Sequence, residues 1–369
     1  IKETLINLNT LTHYEVGLVV TGQHLIEKYG NTICEIELSG LEIIGKIPVE
    51  LDGIEKESVP IAISKQIEGM ISILKYWEPD LVLLLGDRGE MLAGAIAASY
   101  YLTPTIHLHG GERSGTIDES IRHAISKLAN IHLVATKASK DRLIKMGELE
   151  QNIIITGAPG LDEIRIKKNQ LETKENFCKI YNFKINQPII TILFHPVLQE
   201  IEEVQKSVSE IIKGINLLRL EKIYPQLLVL SPNSDAGGNL INKTWIKELA
   251  KLNLRSKYIK HLPREQYLSA LSNSNVLLGN SSSGIIESAS FGIPVINLGS
   301  RQNAREKNLN VKTINISASD INRALKESLL IKDLTTNNLY GDGFATQKII
   351  KAIDSIKVNR NLIYKMNSY

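Results

Sequence analysis

LLLGDRGEMLAGAIAASYYLTPTIHLHGGERSGTIDESIRHAISKL, residues 83–128, is the stretch on which the fold turns. The apolar run 81–85 is too short for a helix and stops at Gly86, the pattern of a buried strand. Asp87 then stands at that strand's carboxyl end, where open α/β sheets collect ligands. A small-residue helix is predicted over 91–100, and Pro104 opens a second strand, TIHLH. That strand empties into GGERSGTIDES, which holds Glu112, Asp118 and Glu119. The next helix is predicted to begin near Asp118, with acidic residues in the first turn as the helix dipole favours. His107 and His109 alternate on the strand and are expected to face one side. Carboxylates and histidines thus leave consecutive strand ends, the layout of an active site.

Outward from this stretch the same alternation continues. Strands are predicted at 14–20, 131–135 and 153–156, with an amphipathic helix near 61–77 and another over 137–146. Alternation of this kind implies a parallel sheet with right-handed crossovers. The chain opens at Ile1 inside what reads as a helix, so the opening strand and loop of a doubly wound domain are expected to be missing. Around 157–174 the text turns to GAPGLDEI and then to a charged, apolar-poor segment, which marks a boundary. Beyond it the architecture repeats. Strand 188–194 ends in His195, strand 226–230 runs into SPNSDAGG, and strand 276–278 runs into GNSSSGIIESASFG. Ser281, Ser282, Ser283 and Gly284 form a small-residue loop opening a helix, a ready anion site, with Glu287 one turn inside, within reach of a sugar hydroxyl. The predicted domains are 1–165 and 166–345, with a helix within 346–369 packing back on the first.

Composition sets bounds. A chain of 369 residues exceeds one ordinary core. Apolar content of 43% and charged content of 22% describe a soluble globular protein. A net charge of +3 without a basic stripe, and few aromatics, argue against nucleic acid. Cys34 and Cys178 have no paired spacing and fit a reducing compartment. No apolar run nears the roughly 20 residues that span a bilayer, and no signal peptide is visible. The expectation is a cytoplasmic protein with no membrane or nucleic-acid partner.

GDRGE, HGGERSGTIDESIRHAISKLA, FHP, PNSDAG and GNSSSGIIESASFGIPVINLGSRQNAR together resemble the hydrolysing UDP-N-acetylglucosamine 2-epimerases of sialic-acid and related nonulosonic-acid precursor pathways. The resemblance runs from VVTGQHLIEKYGNT at Val19 to about Glu306. It implies two doubly wound, Rossmann-like domains facing across a cleft, as in glycosyltransferases of the B type, with nucleotide bound mainly by the second. It also implies conversion of UDP-N-acetylglucosamine to UDP and N-acetylmannosamine through a 2-acetamidoglucal, without a redox cofactor; no carboxylate pair stands beside the 281–284 loop to hold Mg²⁺, so metal independence is expected. Carried over by motif, Asp87, Glu112 and Glu119 fall on acidic catalytic positions and His195 beside the diphosphate. Ser281 and Ser282 match the phosphate loop, Glu287 a ribose contact and Asn233 a nucleotide contact. Arg88, Arg113, Asp118, His123 and His24 are further expected to line the site. The expected assembly is a homodimer or homotetramer.

Other readings of these residues stay open. Asp87 is also placed to cap a helix, Glu119 to complement a dipole, the Ser-rich loop to make an ordinary turn, and His107 with His109 to hold a metal. The alternative substrate is a UDP-2,4-diacetamido-2,4,6-trideoxyglucose of a legionaminic-type route, and the alternative class is a glycosyltransferase of the same fold. Which carboxylate is acid and which is base is not readable from sequence.

Overall fold

A computed structural model describes residues 1–27, 32–50, 57–232, 237–331, 334 and 337–369. The chain forms two units: residues 1–165 with 340–369, and residues 166–339.

In the first unit every strand pairing is parallel. β1 (Gly17–Thr21) pairs with β2 (Glu42–Ile47), with a register shift between Leu18 and Val19. β3 (Val82–Leu85), β4 (Thr105–Leu108), β5 (Ile131–Val134) and β6 (Ile153–Ile155) follow one another across a second sheet. On one side of that sheet Ile106, Leu108, Ile131 and Leu133 meet Leu8 and the buried face of helix Ala345–Asp354, namely Ala345, Ile349, Ala352 and Ile353. Asp162, 2% exposed, caps that helix from outside by accepting from the N–H groups of Ala345 (2.9 Å) and Thr346 (2.6 Å). The crossing from the second unit lies at Tyr340, earlier than the predicted 346, because the Tyr340 carbonyl already accepts from Ala158 N (2.7 Å). The opposite side packs Ala95, Leu84 and Ile125, between helices Gly89–Tyr100 and Ile117–Leu128.

Residues 362–369 lie against the end of helix Ile117–Leu128. Asn130 Nδ2 donates to the Leu362 carbonyl (2.7 Å), and Lys365 Nζ to the carbonyls of Ser126 (2.9 Å) and Ala129 (2.7 Å). Beneath them Glu148, 2% exposed, faces Lys365 (2.7 Å), Lys127 (2.8 Å) and His132 (3.0 Å).

The second unit holds one six-stranded parallel sheet: β7 (Ile189–Leu193), β8 (Gln226–Leu230), β9 (Ser256–Ile259), β10 (Val276–Gly279), β11 (Val295–Leu298) and β12 (Val311–Ile314). Their spatial order is β12-β11-β10-β7-β8-β9. The winding therefore reverses between β7 and β10, the switch point at which doubly wound sheets bind ligands. Helix Val204–Leu220 sends Val204, Val208, Ile211, Ile215 and Leu218 onto the sheet at three- and four-residue spacing. Each such burial contributes about 2 kcal/mol. Gly214 lets helix Ala318–Leu329 approach, since a Cβ there would lie 2.8 Å from the Ile321 side chain.

Candidate active site

Helix Ile117–Leu128 buries an arginine, and the acidic cluster of the first unit is built around it. Arg122 is 2% exposed. Its Nη2 pairs with Asp87 in the loop after β3, its Nη1 donates to the His109 carbonyl (2.7 Å), and Glu112 Oε2 lies 3.7 Å from Nη1. A buried charge is costly unless paired and hydrogen-bonded; these partners from two loops answer the two terminal nitrogens, while Nε is buried without a hydrogen bond among the described residues. Arg122 is a residue that sequence reasoning missed. The signal was its place three residues after Glu119 on a helix whose polar majority otherwise reads as solvated.

The two histidines do not share a face. His107 sits in β4, fully buried. Nε2 lies 2.8 Å from the Gly86 carbonyl and Nδ1 3.0 Å from Ser126 Oγ. A carbonyl only accepts, so Nε2 carries the hydrogen and Nδ1 accepts from the serine. Burial pushes this imidazole down to about 3, and it is neutral at physiological pH. Nε2 is thus spent on bracing the loop that bears Asp87, and Nδ1 on helix Ile117–Leu128. His109 lies beyond the strand with φ +61°, and its Nδ1 faces Glu112 Oε1 at 2.5 Å. The strand's alternation ends at Leu108, so the metal-pair reading of His107 and His109 is not built. Among the described residues no group of three His, Cys, Asp or Glu is arranged to hold a metal.

Glu112 is 4% exposed, covered by His109 and Arg122 rather than presented as a free acid. Glu119 Oε2 accepts from Ser114 N and Gly115 N, both at 2.9 Å, which closes the loop ahead of its own helix. Burial alone would raise its carboxyl, but those N–H groups, with Arg113 and His123, outweigh it and hold Glu119 below its ordinary value. Arg113 Nε (3.5 Å) and His123 Nε2 (3.9 Å) flank Glu119 Oε1. His123 is itself held below the ordinary histidine value by burial, against the raising effect of Glu119. Asp118 accepts from Thr116 Oγ1 (3.2 Å) in the same turn. Arg88 occupies the N-terminal boundary position of helix Gly89–Tyr100 without a side-chain capping bond, its Nε 3.4 Å from Glu90. His24 is exposed, its Nδ1 2.8 Å from Thr32 Oγ1.

In the second unit the switch point is tied by a side chain that the motif reading passed over. Asn280 Oδ1 accepts from His195 N (2.7 Å) and Asn280 Nδ2 donates to the His195 carbonyl (2.9 Å). The loops after β7 and β10 are thereby locked together. Gly279 has φ +146°, and a Cβ there would lie 2.0 Å from the Leu193 carbonyl oxygen. The following helix is only Ser282–Ile286, capped by Ser281, whose Oγ accepts from Ser283 N (3.3 Å). Gly284 N is also taken, by the Ser281 carbonyl (3.1 Å), so the amide cradle is narrower than the sequence predicts. Glu287 does not stand alone one turn inside. It is held bidentate by Arg264 (2.9 and 3.0 Å) and accepts from Ser283 Oγ (3.1 Å), while Tyr267 closes on Ser283. The predicted contact Asn233 lies outside the described residues.

The family model for UDP-N-acetylglucosamine 2-epimerase matches residues 7–354. The chain belongs to that family. A UDP-N,N'-diacetylbacillosamine 2-epimerase (hydrolyzing) from Legionella pneumophila is 42% identical over 368 residues, covering 100% of this chain and 95% of that protein. A GDP/UDP-N,N'-diacetylbacillosamine 2-epimerase (hydrolyzing) from Campylobacter jejuni is 33% identical over 306 residues, covering 83% and 77%. Among solved structures, UDP-GlcNAc 2-epimerase from Neisseria meningitidis bound to UDP-GlcNAc matches with a TM-score of 0.80 at 18% identity, covering 96% of each chain. The epimerase family's α/β fold with parallel sheets is thus that of this chain. No described helix is long and apolar enough to cross a membrane.

Proposed function

We propose that this member of the family is a hydrolysing 2-epimerase acting on UDP-N,N'-diacetylbacillosamine, the 2,4-diacetamido-2,4,6-trideoxy sugar, in preference to UDP-N-acetylglucosamine. The observation that carries the reading is the 42% identity, over the whole chain, to the Legionella enzyme of that description. It favours the alternative substrate over the plain acetamido sugar that the motifs first suggest. The geometry supports the reaction type. A C-2 hydrogen beside an acetamido group is weakly acidic, so its removal must run with departure of UDP, which builds positive charge at C-1 and negative charge on the diphosphate. The carboxylates and histidines around Arg122 supply the charge and proton chemistry of the first unit. His195, Asn280 and the 281–282 turn offer the second unit's place for the diphosphate, and Arg264 with Glu287 its place for the ribose. Preorganised electrostatics of this kind are often the largest catalytic term.

The test is turnover of both nucleotides by the purified protein, with UDP release and sugar product followed separately and no acceptor present. The expected result is a kcat/KM at least about tenfold higher for the diacetamido substrate, the order of one productive polar contact. Equal or better use of UDP-N-acetylglucosamine overturns the substrate assignment. UDP release that requires an acceptor sugar replaces the epimerase with a glycosyltransferase.

A further inference from the structure

We infer that His109, oriented by Glu112, is the base that takes the C-2 proton as UDP leaves; this rests on the epimerase reading above. Glu112 is sealed from solvent at 4% exposure, whereas His109 above it retains 13%. A carboxylate at 2.5 Å from Nδ1 accepts, so Nδ1 carries the hydrogen and Nε2 keeps its lone pair in the neutral ring. No hydrogen bond engages Nε2 among the described residues. A carboxylate behind an imidazole fixes its tautomer and compensates the imidazolium that forms, the logic of hydrolase triads.

The backbone is arranged to hold this presentation. His109 has φ +61°, a conformation disfavoured for side chains with a Cβ and concentrated at functional sites. It is pinned from both sides: its N–H donates to the Leu133 carbonyl (3.1 Å), and its carbonyl accepts from Arg122 Nη1 (2.7 Å). The left-handed turn carries the ring off the β4 alternation and onto Glu112. The neighbouring groups are otherwise occupied. His107 directs its Nε2 hydrogen at Gly86, Glu119 closes the 112–116 loop, and Asp87 shares its charge with Arg122.

In the step itself the C2–H electron pair becomes the C1–C2 π bond. The C1–O bond breaks with its pair on the diphosphate oxygen of UDP, and the proton rests on Nε2 against the Glu112 carboxylate. Water oxygen then bonds C-1, a second acid delivers a proton to C-2 from the opposite face, and that acid recovers its proton from the attacking water. The imidazolium returns its proton to solvent. The sum is nucleotide sugar plus water giving UDP and the inverted sugar.

Wild-type turnover in heavy water is measured first, and UDP release with one deuterium at C-2 of the product keeps the epimerase reading. His109→Asn, which tolerates the left-handed backbone, is then expected to lose at least about 100-fold in kcat, with UDP affinity and melting temperature near wild type. His109→Gly is expected to regain rate when imidazole is added, more so with more basic imidazoles, which a structural role would not produce. A wild type that releases no UDP defeats the epimerase reading itself. A working wild type with an equally active His109→Asn, or a folded His109→Gly indifferent to imidazole, overturns the assignment of His109 alone.

Discussion

Arg122 couples three groups that the chain supplies from two loops: Asp87 after β3, and Glu112 with the His109 carbonyl after β4. Removing one partner of a buried ion pair costs about 3–5 kcal/mol, because the remaining charge stays buried. Arg122→Met is therefore expected to lower the melting temperature by several degrees and abolish turnover, while Arg122→Lys, charged but without the planar fork, recovers more stability than rate. Thermal unfolding beside a UDP-release assay reads both. Asp87→Asn and Glu119→Gln keep shape and lose charge, so each is expected to lose rate by about 100-fold or more with UDP affinity nearly unchanged. Calorimetric UDP titration checks the second half, and variants that bind UDP poorly yet turn over normally would remove the chemistry from the first unit. The acids themselves were legible because they follow strand ends. Their partners were not, since an arginine amid IDESIRHAISKL reads as a solvated charge, and nothing local reveals that Glu112 lies beneath a histidine.

At the scale of elements, β7 and β10 meet where the sheet reverses, and Asn280 clasps the two loops that follow them. Two backbone-directed hydrogen bonds are worth roughly 1 kcal/mol each. Asn280→Ala is thus expected to weaken UDP binding by about tenfold or more while leaving the sheet intact, measured by titration against circular dichroism. Gly279→Ala meets the Leu193 carbonyl and is expected to disrupt the sheet itself, visible as loss of soluble protein. β7, β8 and β10 were legible as short apolar runs between turn signals, which buried parallel sheets produce, whereas β11 and β12 at the far edge were not read as strands. The Ser-rich loop was legible as an anion site, but its narrowness was not, because whether a serine caps its own helix or leaves amides open depends on χ1. The pairing of Glu287 with Arg264 joins residues 23 apart and has no local signature.

For the whole molecule, acid should loosen the first unit before any site carboxylate is considered. His107 and His132 are held below the ordinary histidine value chiefly by burial, so the unfolded chain takes protons that the folded one refuses as pH drops below about 6.5. Glu148 is brought down to about 2 against burial by His132, Lys127 and Lys365. Its contribution is full above about 4.5 and fades as pH falls toward about 2. Urea midpoints should therefore decline steadily from neutrality to pH 4, and Glu148→Gln should flatten the profile in its lower part; an unchanged profile would show that the cluster does not titrate with folding. There is also a matter of timing. Helix Ala345–Asp354 completes a core whose strands are made before residue 165, and residues 166–339 come off the ribosome between them. At roughly 5–20 residues per second that interval lasts about 10–35 s. During it the apolar side of β4 and β5 waits uncovered while the later-made unit already has everything it needs. A chain ended at residue 339 should accordingly give up its first 165 residues to protease and keep the rest, so the half synthesised first is the half that finishes last.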